Sequence, residues 1–156
     1  MAGPSSASDE VLDRAQEVGL LIAGRGGVVV TGGHGGVMEA ASRGAFEAGG
    51  TTLGLLPGSD RAAGNQWLTV AVPTGLGELR NGLVVRACDA LIACGGSWGT
   101  LSEVSLALRT GRPVISLGGW DLERFAEAAD PDIPLPRIAA SPEEAVDLAL
   151  EAAAGS

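Results

Sequence analysis

Val28-Val29-Val30-Thr31-Gly32-Gly33-His34-Gly35-Gly36-Val37-Met38 is the stretch that decides the fold. Three β-branched residues in a row read as a short buried strand. Glycines follow at once. Met38, Ala41, Ala45 and Ala48 then recur at helical spacing until Gly49-Gly50 stops them. The same order returns later: a strand over Ala90 to Cys94, the loop Gly95-Gly96-Ser97-Trp98-Gly99, and a helix over Thr100 to Arg109.

The intervening and flanking segments continue the alternation. Ser8-Asp9-Glu10 caps a helix whose Val11, Ala15, Val18 and Ile22 share a face, ending near Gly24. Thr52 to Leu56 is a strand closed by Pro57-Gly58, and 57–66 is a polar loop. Trp67 to Val72 alternates as a strand, Pro73 to Gly77 turns, and Glu78 to Cys88 is a helix. Val114 to Leu117 is a strand, Leu122, Phe125 and Ala129 mark a short helix, and the proline-bearing Asp130 to Pro136 is loop. Ser141-Pro142-Glu143-Glu144 opens a last helix as cap, N1 proline and capping box, and that helix runs to the end of the sequence.

Strand alternating with helix predicts an α/β class, a Rossmann-like three-layer fold with a mostly parallel sheet covered on both faces. The 156 residues suit a single domain, 1–156. Such folds open on a strand, yet Met1-Ala2-Gly3-Pro4 leaves little room. The first strand is therefore expected to be very short or missing.

Composition excludes several functions. The formal charge of −9 argues against nucleic acid and membrane surfaces as partners. All ten basic residues are arginine, so a lysine Schiff base to pyridoxal phosphate and a Walker A loop are both out of reach. Cys88 and Cys94 are too few for a disulfide framework and are read as buried thiols in a reducing compartment. Arg86 and Asp89 break the longest apolar stretch, and the first residues lack a signal pattern, so the expected location is cytoplasmic.

Ligands of open α/β sheets collect at the carboxyl ends of the strands, where glycines admit a phosphate and a helix N-terminus offers unpaired N–H groups. Gly33-His34-Gly35-Gly36-Val37-Met38 lacks the last glycine of a dinucleotide fingerprint, and no acid closes the strand Thr52 to Leu56, which speaks against NAD. Gly95-Gly96-Ser97-Trp98-Gly99 fits a serine nucleophile elbow, but His34, the sole histidine, precedes the serine where the elbow fold places it afterwards. Ser97 is read instead as a phosphate-loop serine. One histidine and two cysteines make no metal site.

The stretch Val28 to Glu39, the pair Arg80-Asn81 and Gly95-Gly96-Ser97-Trp98-Gly99-Thr100-Leu101-Ser102-Glu103 resemble the three motifs of the LOG-like (SLOG) Rossmann superfamily. Its LOG members are nucleoside 5′-monophosphate phosphoribohydrolases often mislabelled lysine decarboxylases. Against their PGGxGTxxE motif this chain has Gly95 for the proline and Ser97 for the second glycine, and Asn81 follows Arg80 where they carry lysine. These departures are similar to a sister group that includes the molybdenum-cofactor carrier proteins.

The resemblance implies a pterin or nucleotide phosphate bound by Gly32, Gly33, His34, Gly35, Gly36, Arg80, Asn81, Gly95, Gly96, Ser97, Trp98, Gly99, Thr100 and Glu103. The cargo would be a molybdenum cofactor or a nucleoside monophosphate, with no required cofactor and a homodimer or higher homo-oligomer. If the chain is an enzyme, Arg80 and Glu103 are its catalytic residues. Each residue also has a plainer reading. Glu103 and Glu39 are then first-turn helix acids, Arg80 a surface ion pair, Thr100 an N-cap, Arg43 a solvated residue and Trp98 a wall against the neighbouring helix.

Overall fold

Four-residue strands with no polar face build the centre of the molecule. The structure, a computed structural model, describes residues 1–122 and 132–154. Within them α1 (Asp9–Gly24), β1 (Val28–Thr31), α2 (Val37–Glu47), β2 (Thr51–Leu56), β3 (Val70–Pro73), α3 (Asn81–Ala87), β4 (Leu91–Cys94), α4 (Trp98–Arg109), β5 (Val114–Leu117), β6 (Arg137–Ile138) and α5 (Pro142–Ala154) follow in order. All pairings are parallel, in the spatial orders β1-β2-β3 and β4-β5-β6.

Met1 and Ala2 join the two halves. The Met1 nitrogen donates to Val30 O at 2.8 Å. Ala2 pairs with Ala93, its N–H donating to Ile92 O and its carbonyl accepting from Cys94 N, both at 2.9 Å. The expected first strand is thus a single bridged residue.

Alternate residues of β4 and β5 serve opposite faces, as the period of two requires. Ile92, Cys94, Ile115 and Leu117 pack with Ala15 and Val18 of α1, Ala41 and Ala45 of α2, and Ala145 and Val146 of α5. Leu91, Ala93 and Val114 pack with Val85 of α3 and Val104 and Ala107 of α4. Small alanines at these positions let the helices lie close to a thin sheet. Cys88 and Cys94 are both buried and unpaired.

Several boundaries move for physical reasons. The strand expected over Trp67 to Val72 begins only at Val70, because the Thr52 and Thr69 hydroxyls take over the backbone groups there. Thr52 Oγ1 donates to Trp67 O, and Thr69 Oγ1 to Thr52 O, each at 2.7 Å. The helix expected over Glu78 to Cys88 splits into a tight turn at Gly77–Arg80 and α3. Arg137–Ile138 is too short a strand for periodicity to reveal. The capping box of α5 is shifted by one: Ser141 Oγ accepts from Glu144 N at 3.2 Å, but Glu144 reaches back to Ala140 N at 2.7 Å. Ser8 makes no side-chain cap on α1. Phe125 and Ala129 of the expected short helix, and Asp130 and Pro131 of the loop after it, lie outside the described residues. Among the described residues no helix is long and apolar enough to cross a membrane.

Candidate functional site

A cleft of about 740 Å³ opens at the carboxyl end of the sheet. His34, Arg80, Asn81, Ser97, Trp98, Gly99, Thr100 and Glu103 line it, joined by Leu79, Pro57 and Met38. The structure thus brings the second and third sequence motifs together, with two residues of the first, His34 and Met38.

The open wall is the N-terminus of α4. Ser97 is extended (φ −145°, ψ 169°) and caps the helix, its Oγ accepting from Thr100 N at 3.1 Å and lying 2.9 Å from Thr100 Oγ1. The expected cap at Thr100 is therefore corrected to Ser97, because the helix begins two residues earlier than its apolar spacing suggested. The N–H groups of Trp98 and Gly99, first in the helix, have no acceptor within it. They carry the positive end of the helix dipole into the cleft. A Cβ on Gly99 would meet only Ser97 Oγ, at 3.8 Å. Ser97 Oγ is committed to Thr100 rather than poised beside a base.

Arg80 and Glu103 form the floor. The early start of α4 puts Glu103 in its second turn, not the first, and buries it at 7% exposure. Arg80 is equally buried, at 8%, which removes the reading of a surface ion pair. Its Nη1 donates to Asn81 Oδ1 at 2.9 Å and lies 3.9 Å from Glu103 Oε1, too far for a hydrogen bond. Its Nε is buried without any partner. Burial lowers the Arg80 pKa against the pull of Glu103, and raises that of Glu103 against the pull first of the Met1 amino group and then of Arg80. Both shifts run toward the neutral form, so desolvation outweighs the attraction among Arg80, Glu103 and the Met1 amino group. His34 is held below its ordinary range by burial and then by the Arg80 charge. A buried guanidinium with an unmet donor is a site that an anion would complete.

The first glycine loop is built differently. The leading N–H of α2, on Val37, is already taken by Pro4 O at 3.0 Å. Gly36 (φ 66°, ψ −134°) lies so close to Pro4 and Ser5 that a Cβ would strike their backbone. Gly33 packs on Leu56, donates to Thr31 Oγ1 at 3.1 Å and accepts from Asn65 N at 2.9 Å. A Cβ on Gly35 would lie 3.6 Å from Glu39 Oε2. Gly32 seats the cation: a Cβ there would overlap the Arg80 guanidinium. Gly95 turns (φ 70°) against Val11 and Pro4, and Gly96 lies against the Trp120 ring. Glu39 is the first-turn acid of α2. Arg43 is exposed, pairs with Glu47 at 2.8 Å and lies 5.5 Å from the centre of a Trp67 ring.

A third glycine loop, Gly118-Gly119-Trp120 after β5, escaped the sequence reading although it repeats the strand-then-glycine signal. Gly119 (φ 98°) sits so close that a Cβ would strike Gly95 O. Trp120 Nε1 donates to Ser97 O at 3.3 Å. Its ring lies 5.1 Å from that of Trp98 at 42°. Trp98 is thus backed by an indole on one side, yet remains 78% exposed.

The sequence profile of the SLOG cluster4 family matches residues 1–146. The chain belongs to the SLOG cluster4 family. It is 40% identical over 115 residues to an uncharacterized protein of Archaeoglobus fulgidus, spanning 74% of this chain and 76% of that one. Its structure is similar to that of the molybdenum cofactor binding protein from the phototrophic bacterium Rippkaea orientalis. The TM-score is 0.86 at 42% identity, over 96% of this chain and 92% of that one. It is similar also to the molybdenum cofactor carrier protein of Chlamydomonas reinhardtii, with TM-score 0.86 at 33% identity over 98% and 96%. The fold of this SLOG cluster4 protein is therefore the Rossmann-like one that its glycine motifs predict.

Proposed function

We propose that this chain, as one ligand-binding domain over 1–156, holds a phosphorylated, ring-bearing small molecule in the Arg80–Ser97 cleft and carries it unchanged. The molybdenum cofactor is the leading cargo and a nucleoside monophosphate the other. The observation that carries the reading is the buried Arg80 guanidinium with an unpartnered Nε, set beside the open N-terminus of α4. In this reading Arg80 and the N–H groups of Trp98 and Gly99 hold the phosphate, with Asn81 and the Ser97–Thr100 hydroxyl pair beside them. The Trp98 indole meets the flat ring, and Glu103 accepts hydrogen bonds from ligand donors. A cleft of about 740 Å³ suits a pterin phosphate, within the roughly 300–1,000 Å³ of small-molecule sites. The two solved neighbours named for that cofactor support the cargo. We place the protein in the cytoplasm as a homodimer or higher homo-oligomer, the buried unpaired thiols supporting the location.

Native mass spectrometry of protein purified from a host that makes the cofactor tests this reading. The expected result is a bound pterin phosphate; protein that never carries one contradicts the carrier role.

One observation favours a second reading. Burial raises Glu103, so its carboxyl keeps a proton to a higher pH than usual and can give it to a departing base nitrogen. That suits a phosphoribohydrolase cutting nucleoside 5′-monophosphates. Free base released from AMP, and lost in Glu103→Ala, would establish it over the carrier.

A further inference from the structure

Trp120 stands outside the cleft and outside the three motifs of the sequence, yet it touches two of the groups that would hold a ligand. Its indole N–H reaches Ser97 O, the carbonyl that also accepts the first helical hydrogen bond of α4, from Leu101 N at 2.9 Å. That carbonyl fixes where the helix begins, and hence where the Trp98 and Gly99 N–H groups point. Its ring meanwhile lies 5.1 Å from the Trp98 ring, on an indole otherwise exposed to solvent. An exposed side chain at a helix start would ordinarily sample several rotamers, and ordering it on a ligand costs free energy. A fixed neighbouring ring reduces that cost. The Trp120 loop is itself anchored, since Gly119 lies against Gly95 O and Gly95 N–H donates to Leu117 O at 3.3 Å.

We infer that Trp120 is a positioning residue that sets ring selectivity at this site. Its N–H aims the phosphate-binding helix start, and its ring presents Trp98 to the flat heterocycle of the ligand. This rests on the proposed function, and deepens it: the site prefers a phosphate bearing a planar ring over the same phosphate without one.

AMP and ribose 5-phosphate separate the two contacts, because they share the phosphate and differ in the base. Calorimetry on the full chain is expected to show wild type binding AMP more tightly. Trp120→Leu removes both contacts and should weaken AMP more than ribose 5-phosphate, by an extra factor of about two to ten, the size of an aromatic pair. Trp120→Phe keeps a ring and loses the N–H; it should weaken both ligands by about the same factor. The unliganded protein gives a second readout: Trp120→Leu should move the Trp98 indole N–H resonance and leave that of Trp67 in place. A Trp120→Leu variant with the same AMP to ribose 5-phosphate ratio as wild type would overturn the inference alone. Wild-type protein that binds neither AMP, ribose 5-phosphate nor a pterin phosphate would overturn it together with the proposed function.

Discussion

The two glycine loops that read alike in the sequence do opposite work. The loop before α2 is closed: Pro4 O occupies its leading N–H, and Gly36 exists because Pro4 and Ser5 leave no room for a Cβ. The loop before α4 is open: its first helical residues, Trp98 and Gly99, line a cleft, and Gly99 has space around it. The first loop still serves the site, but indirectly, since Gly32 leaves the space in which Arg80 lies. Glycine enrichment therefore reports close approach in general. Whether the approaching partner is the protein's own backbone or a ligand depends on what occupies the position of the missing Cβ.

The contrast can be broken most forcefully at Gly36. Its φ of 66° with ψ of −134° is a conformation that only glycine adopts readily. Gly36→Ala should cost about 2–4 kcal/mol in urea unfolding, from strain and the clash together, whereas Gly99→Ala should stay within about 0.5 kcal/mol of wild type. Equal losses in the two variants would erase the distinction between the loops. Next in size is Arg80→Ala, which should weaken AMP or pterin phosphate binding by about 1.5–3 kcal/mol, the range for a charged hydrogen bond. Unchanged affinity in calorimetry would place the ligand elsewhere. Ser97→Ala removes a working cap and should cost about 1 kcal/mol of stability. Ser8→Ala removes a side chain that caps nothing and should cost far less; a reversed order in thermal unfolding would contradict the assignment of caps.

The smallest effect concerns pH. Burial raises the Glu103 pKa above its ordinary value of 4.5 in the folded protein. The folded state then binds the proton more tightly than the unfolded chain does. Stability from this group is present below the ordinary value and is lost as pH rises through the raised folded one. Glu103→Gln should abolish that decline and gain relative to wild type at neutral pH. Parallel stability curves for the two proteins across about pH 4 to 8 would show that the Glu103 pKa is not raised in the folded protein.

Much of the fold was legible because its signals are local. The runs Val28-Val29-Val30 and Leu91 to Cys94, and the alanine spacing after Met38, each specify an element without help from distant residues. What was hidden depends on contacts between distant segments. Met1 and Ala2 act as a strand only because β1 and β4 flank them. The tight turn at Gly77–Arg80 precedes α3, and nothing in its spacing separates it from a continuous helix. At the site, the motifs named Arg80, Ser97 and Glu103, but not the burial of Arg80 and Glu103, which turns a solvated ion pair into a desolvated cation beside a raised carboxyl. Trp120 was missed because its role runs through Ser97 O and the Trp98 ring, partners more than twenty residues away in sequence.

In the proposed reading the N-terminus of α4, and not that of α2, receives the phosphate. Titrating ¹⁵N-labelled protein with AMP, and with inorganic phosphate as a ring-free control, tests it at the atoms concerned. The largest amide shifts are expected at Trp98 and Gly99, with Gly35, Gly36 and Val37 nearly unmoved. Shifts concentrated at Gly35 to Val37, with Trp98 and Gly99 silent, would contradict it.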